Sequence, residues 1–310
     1  MDPKSHTSPL TTAQASKLRG VLAERGWDLE TKPYTIFAAR KDKTTVAVYE
    51  KGPKVLIQGR GTGDFIRFIL EPEILGEAKL GYEEETQPEM FAPHFGIDES
   101  GKGDFFGPLV IAGAYVDRGI AHSWRDAGIQ DSKAISSDAR IRALAEVIRQ
   151  TPGATQNVVV IGPGRYNVLY KKFGNLNRLL AWGHARVIEN LLESRADCPR
   201  ALSDQFANPS LLRRALLERG RGIQLEQRTK AESDPAVAAA SVLAREGFIN
   251  WLERHGREFG VKLPRGASAE VKRIAKELVA KHSASVLERL CKVHFKTARE
   301  AAPDYFSPQS

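Results

Sequence analysis

Cysteine is nearly absent: Cys198 and Cys291 are the only two in 310 residues. That excludes a disulfide scaffold and a cysteine-rich zinc site, and it predicts a reducing, cytoplasmic setting. No run of about 18 apolar residues occurs, so no transmembrane helix and no membrane partner are expected. The opening Met-Asp-Pro-Lys-Ser-His lacks the basic-then-apolar layout of a secretory signal, and no internal repeat is visible. Acidic charge is in deficit, with 38 Asp and Glu against 46 Lys and Arg, a net +8. That balance favours polyanionic partners such as nucleic acid. What is present is enough for a core: 42% of the residues are hydrophobic, which argues against global disorder. The length suits about two domains of roughly 100–200 residues each.

The charge is unevenly spread. Residues 1–70 hold 12 basic and 7 acidic side chains, residues 71–93 hold 1 and 7, and residues 94–310 hold 33 and 24. Two basic blocks therefore flank an acidic connector. In the first block, residues 1–10 are polar and read as loose. Thr11 or Thr12 can cap a helix carrying Ala15, Leu18, Val21 and Leu22, which Gly26 would end. Extended runs follow at Tyr34–Arg40, Thr44–Tyr49 and Lys54–Gln58, joined by hairpin-length turns, and Phe65–Leu70 opens a second helix. Residues 1–75 thus read as a small α+β domain with an antiparallel sheet. Residues 76–93, with Gly76, Gly81, Glu83–Glu85 and Pro88, read as a linker, the glutamates as a solvated acidic stretch. From residue 94 to 310 strands and helices alternate. Strands are expected at Phe95–Glu99, Leu109–Val116, Asn157–Ile161, Arg200–Ser203 and Ile223–Gln227. Helices are expected at Ser137–Arg149, Asn177–Glu193, Leu211–Arg219, Pro235–His255, Ala269–Lys281 and Ala284–Thr297. That is an α/β domain with a mixed sheet flanked by helices.

The most informative stretch is Phe95-Gly-Ile-Asp-Glu-Ser-Gly-Lys-Gly-Asp-Phe-Phe-Gly-Pro-Leu109. An apolar strand ends in adjacent acids, Asp98 and Glu99. Burying such charge without a partner is costly, and hard oxygen ligands suit Mg²⁺ or Mn²⁺. Neighbouring strand residues face opposite ways, so both acids serve one site only if the strand ends or twists there. Asp204 follows Ala201-Leu202 at another strand end, and Glu232 lies just beyond the last strand with Asp234 close by. Four carboxylates at strand ends form a plausible two-metal site, with cations about 3.5–4 Å apart, for in-line displacement at phosphorus. Taken singly, Asp204 also reads as a turn or cap residue and Glu232 as a surface acid. The Gly101-Lys102-Gly103 turn offers backbone N–H groups to phosphate or ribose oxygens. It is not a Walker motif, and alone it reads equally well as a plain turn.

Gly96–Leu109 closely resembles the first signature of the type 2 ribonucleases H, and its Gly-Lys-Gly with Asp-Phe-Phe-Gly is similar to the ribonuclease HIII version. Asp131-Ser-Lys133, Tyr166-Asn167 with Asn175–His184, Ser203–Phe206, and Thr229–Ser233 with Ala238–Arg245 resemble later motifs in the same order. The resemblance implies a ribonuclease H-like catalytic domain and an N-terminal substrate-binding domain similar to half of the TATA-binding protein fold. It implies endonucleolytic cleavage of RNA in RNA–DNA hybrids, leaving 5′-phosphate and 3′-hydroxyl ends. Asp98, Glu99 and Asp204 carry over as metal ligands. Glu232 fits the HIII pattern for the fourth carboxylate, with Asp234 a competitor. Gly101, Lys102 and Gly103 carry over as substrate contacts. The expected partner is the hybrid, and the expected state a monomer.

No histidine is required as a general base. His184 and His294 on helices and His94 before the key strand read as packed or surface residues, a side role for His94 staying open. Lys41, Lys43, Lys51, Lys54 and Arg60, with Tyr34, Phe37 and Tyr49, read as a sheet face that grips the hybrid or as a solvated basic rim. Arg289, Lys292, Lys296 and Arg299, on a helix with Phe295, read as a further backbone contact or a solvated face. A DNA-directed nuclease, an enzyme for single embedded ribonucleotides and a non-catalytic hybrid binder are the alternatives.

Overall fold

A computed structural model describes residues 4–76, 87–229 and 231–306. The acidic part of the expected linker, including Gly81 and Glu83–Glu85, lies outside the described residues. Two compact units divide the chain, Met1–Glu89 and Met90–Ser310.

The first unit is a five-stranded antiparallel sheet in the order β1-β5-β4-β3-β2. Its strands are β1 (Ser5–Pro9), β2 (Asp28–Glu30), β3 (Thr35–Lys41), β4 (Thr44–Tyr49) and β5 (Lys54–Gly59). The three central strands match the alternating runs. Phe37, Ala39, Val46, Val48, Val55 and Ile57 form one buried face, packed with Ala15, Leu18 and Leu22 of helix α1 (Thr12–Glu24). Thr11 and Gln14 close a reciprocal capping box at its start. The polar first residues are not loose: Ser5–Pro9 pairs with β5 in register, Ser5 opposite Gln58 and Pro9 opposite Lys54. An edge strand needs only backbone hydrogen bonds, so an apolar pattern is not required of it. The second helix begins earlier than expected, as α2 (Thr62–Phe65), and widens into a π-helical segment at Ile66–Leu75.

The second unit holds a mixed sheet in the order β10-β9-β6-β7-β8. Its strands are β6 (His94–Ser100), β7 (Leu109–Val116), β8 (Gln156–Ile161), β9 (Arg200–Asp204) and β10 (Gln224–Arg228). β6, β7 and β8 run antiparallel in turn, while β9 and β10 add in parallel beyond β6. All five expected strands are present within a residue at each end. The helices are α3 (Arg118–Asp126), α4 (Asp138–Gln150), α5 (Pro163–Phe173), α6 (Leu176–Ser194), α7 (Pro209–Ala215), α8 (Pro235–Glu258), α9 (Ala269–His282), α10 (Val286–Leu290), α11 (Lys296–Ala301) and α12 (Pro303–Phe306).

Helices α6 and α8 cover opposite faces of the sheet. A Cβ on Gly113 would meet Val187 and Leu191 of α6 at 2.7 and 2.8 Å, whereas one on Gly96 would meet the Ala236 and Val237 backbone of α8 at 2.1 and 2.2 Å. Glycine at 96 is what lets the start of α8 lie directly on β6. Two helix expectations need correction. Leu211–Arg219 stops at Ala215, before a short 3₁₀ turn at Arg219–Gly222. Ala284–Thr297 is not one helix: it breaks at Cys291, which forms an isolated antiparallel bridge with Phe106, and helix resumes only at Lys296. His294 therefore sits in a turn. Lys292 is wholly buried rather than solvated, because the break turns it inward.

Candidate active site

Strand parity sorts the candidate acids. Gly96 faces α8, so Asp98 does too, and Ile97 and Glu99 face α6. On β9, Leu202 packs with Ala231 and Val237, which puts Leu202 and Asp204 on the α8 face as well. The parallel register pairs Ile97 with Ser203, so Asp98 and Asp204 stand side by side one step beyond the last bridged pair. Glu232 lies in the 3₁₀ turn Ala231–Ser233 that leads into α8, beside the Ala231 that packs on Leu202.

Lys133, in the turn after Asp131, shows that these acids share one field. Burial alone would lower its ammonium pKa, yet the carboxylates of Asp131, Asp98, Glu232 and Asp204 outweigh burial and hold it above its ordinary value. Asp98 moves the other way. Burial, with the neighbouring Glu99 charge adding, pushes its carboxyl up to about 7, against a weaker pull from Lys133 and from the Ser241 hydroxyl of α8. Ser241 is itself fixed, donating to Asp131 Oδ1 at 3.0 Å and accepting from the Ser132 N–H at 3.1 Å.

Glu99 occupies the opposite face. The ladder with β7 continues unbroken through Glu99 and Ser100, so the strand does not end at the acid pair. The carboxylate turns to α6, where buried His184 Nε2 meets Oε2 at 3.0 Å, and Lys102 Nζ lies 3.6 Å from Oε1. Burial alone would raise the Glu99 carboxyl; His184 and then Lys102 override it and hold it low. His184 Nδ1 is buried without a partner among the described residues. His184 thus anchors Glu99 directly. The signal available for it was a polar residue inside the apolar stripe Leu180, His184, Val187, Ile188 and Leu191 of α6.

Asp234 has a different occupation from Glu232. It caps α8, accepting from the Ala236 and Val237 N–H groups at 2.9 and 3.2 Å. It also faces His94 Nε2 at 2.9 Å, while His94 Nδ1 reaches the Ala92 carbonyl at 2.7 Å. Buried His94 is thus held between the Ala92 carbonyl on one side and the Asp234 carboxylate on the other. Asp234 is therefore consumed by structure, and Glu232 is left facing Lys133.

The glycine turn sits beside the acids, in the β6–β7 connection. Gly101 has φ +89°, and a Cβ there would lie 2.2 Å from the Pro108 carbonyl oxygen, so only glycine fits. Gly103 is open, with nothing within 4 Å of an added Cβ. Among the described residues no three His, Cys, Asp or Glu side chains converge as a ligand set for one ion. The chemistry of the donors nevertheless fits a hard divalent cation: four carboxylates at one sheet end, with Lys133 and Lys102 as the neighbouring counter-charges.

A family model described as ribonuclease HII matches residues 95–298. Ribonuclease HIII of Chlamydia caviae is 43% identical over 300 residues, covering 95% of this chain and 97% of its own. That of Protochlamydia amoebophila is 42% identical, covering 91% and 92%. The chain belongs to the ribonuclease HIII family. It is accordingly a ribonuclease H endonuclease. Among solved structures, Bst-RNase HIII in complex with Mn²⁺ superposes with a TM-score of 0.67 at 27% identity, covering 96% of this chain and 97% of that one. Aquifex aeolicus RNase H3 superposes with a TM-score of 0.53 at 28% identity, covering 93% and 99%. Among the described residues no helix is long and apolar enough to cross a membrane.

Proposed function

We propose that this enzyme hydrolyses the RNA strand of RNA–DNA hybrids with divalent cations, Mg²⁺ or Mn²⁺, leaving 5′-phosphate and 3′-hydroxyl ends. The observation that carries the reading is the gathering of Asp98, Asp204 and Glu232 on the α8 face, with Glu99 adjacent, beside a turn whose backbone is open at Gly103. Asp98, Glu99, Asp204 and Glu232 are the residues that would hold the metal, and bound cations would supply an activated water and charge relief for the departing 3′-oxygen. His184 holds the Glu99 carboxylate in place, and Ser241 faces that of Asp98. The Gly101–Gly103 turn meets the sugar–phosphate chain at close range, where backbone amides can sense the 2′-hydroxyl that separates RNA from DNA.

The first unit is the substrate-binding domain in this reading. One face of its sheet is buried under α1, and the other carries Thr45, Tyr49, Lys54, Leu56 and Gln58, with Lys54 Nζ 5.9 Å from the Tyr49 ring centroid. That face supplies positive charge and aromatic surface to a phosphate backbone, so hybrid affinity falls as salt rises. Both cysteines are free and buried, in keeping with a proposed cytoplasmic location.

The test is cleavage of an end-labelled hybrid, an all-DNA duplex and a duplex with one ribonucleotide, each with EDTA, Mg²⁺ or Mn²⁺. Metal-dependent cleavage of the hybrid alone is expected, and it is lost in Asp98→Asn. Metal-independent cleavage, or normal turnover of that variant, overturns the assignment.

A further inference from the structure

Lys292 is the one lysine among the largest fully buried side chains. Its ammonium donates to the carbonyl oxygens of Asp104 at 2.9 Å and Gly107 at 2.7 Å. The rings of Tyr166 and Phe248 flank it, their centroids 5.6 and 6.0 Å away. Taking an ammonium out of water costs several kcal/mol even in a real protein interior. Burial accordingly pushes the Lys292 ammonium down to about 7, with Asp104 pulling the other way. A methionine would fill the same volume without that cost, so the charge has a use that packing does not explain.

The use is legible in what the two carbonyls belong to. Asp104 and Gly107 lie in the connection that carries Gly101–Gly103 from β6 to β7. The C-terminal segment grips the same connection through its backbone: Gly107 N–H donates to the Leu290 carbonyl, and Lys292 N–H to the Phe105 carbonyl, both at 2.9 Å. A second strap comes from Gly266, whose N–H meets Asp104 Oδ1 at 2.6 Å and whose carbonyl accepts from Phe105 at 3.0 Å. Phe248 underlies the whole, 2.9 Å from where a Cβ on Gly101 or Gly107 would stand. Lys292 closes the base of this loop with a single group.

We propose that Lys292 is a positioning residue for substrate binding, locking the base of the loop so that the Gly101–Gly103 backbone is presented to the hybrid in one conformation. The inference rests on the reading of that turn as a substrate contact. An unlocked loop must be ordered by the hybrid itself, so the loss falls on binding and leaves the carboxylates untouched.

The experiment compares the full-length enzyme with Lys292→Met, at a temperature where each unfolding curve shows both folded. Lys292→Met should raise KM for a fluorescein-labelled hybrid roughly tenfold, with kcat within about twofold. Hydrogen exchange of peptides spanning residues 101–108 should quicken while β7 stays protected. Lys292→Gln, which keeps a donor on a shorter chain, is the milder variant if Met does not fold, and the same direction is expected of it. An unchanged KM in either folded variant, or equal losses in KM and kcat with exchange raised throughout, overturns the proposal. Gly103→Ala serves as the separate check on the turn. If that variant binds hybrid normally, the turn reading fails. If it binds weakly while folded Lys292 variants bind normally, only the positioning inference fails.

Discussion

Asp98→Asn should make the metal-free protein more stable while abolishing cleavage. Folding lifts the Asp98 carboxyl from 3.8 to about 7, so the native state prefers it protonated and works against its charge. Each tenfold change in acidity corresponds to about 1.4 kcal/mol, which bounds the penalty near 4 kcal/mol at alkaline pH. The carboxylate keeps some solvent exposure and shares its titration with Glu99, which reduces the figure to about 2 kcal/mol. Because the folded value lies above the unfolded one, the penalty is absent below pH 3.8, grows as pH rises toward 7 and is constant beyond it. Asparagine removes the charge at nearly the same size and shape. Unfolding followed by tryptophan fluorescence in EDTA, at pH 8, 6 and 4.5, measures the difference. The signal reports mainly the second unit, which holds Trp124, Trp182 and Trp251. At pH 8 the variant should melt about 4–8 °C higher, with the gain shrinking at each lower pH. A variant no more stable than the parent at pH 8, or a gain that grows on acidification, refutes the reasoning.

Three further outcomes follow from the site's geometry. Gly96→Ala should lose at least about 3 kcal/mol in urea unfolding, because both atoms in the way are α8 backbone and cannot rotate aside; a loss below about 1 kcal/mol would mean that α8 floats on the sheet. His184→Phe keeps the ring volume but removes the donor to Glu99, so calorimetric Mn²⁺ affinity should fall about 10–100-fold, and unchanged affinity would show that Glu99 needs no anchor. Glu232→Gln and Asp234→Asn should separate function from structure. The first loses cleavage at nearly unchanged Tm, whereas the second replaces a carboxylate oxygen beside buried His94 with an amide and costs about 1–3 kcal/mol; the reverse pattern would exchange their roles.

How far the sequence could be read depended on the range of the forces involved. β7 was legible residue for residue, since eight buried apolar positions between a glycine-proline turn and a charged cap leave little choice. Asp204 was legible as a strand end because its apolar run stops there, whereas β6 runs on past Asp98 to Ser100. The edge strands Ser5–Pro9 and Asp28–Glu30 were not, for their pairing rests on backbone bonds that leave no pattern in side chains. The break at Cys291 was hidden for a related reason. Val286, Leu287, Leu290 and Cys291 keep helical spacing with no glycine or proline to mark a stop, and what ends the helix is a bridge to Phe106, far away in the chain. The same break carries Lys292 inward, so a residue that reads as solvated charge becomes wholly buried against the β6–β7 connection.

The acid pair shows where reading by residue type reaches its limit. Alternation already implied that Asp98 and Glu99 part to opposite faces, and the sheet keeps that rule through Ser100. What alternation cannot supply is the partner each one finds. Asp98 turns to α8, where burial, with the neighbouring Glu99 charge adding, disfavours its own charge. Glu99 turns to α6, where His184 and Lys102 hold its carboxyl below its ordinary value despite burial. Two neighbours of one chemical type thus differ in readiness to give up a proton, and much of the difference comes from side chains distant in sequence, such as His184, 85 positions beyond Glu99. Under the proposed two-cation reading the two acids would therefore meet a cation from different starting points, Glu99 held low by His184 and Lys102 and Asp98 held high by burial.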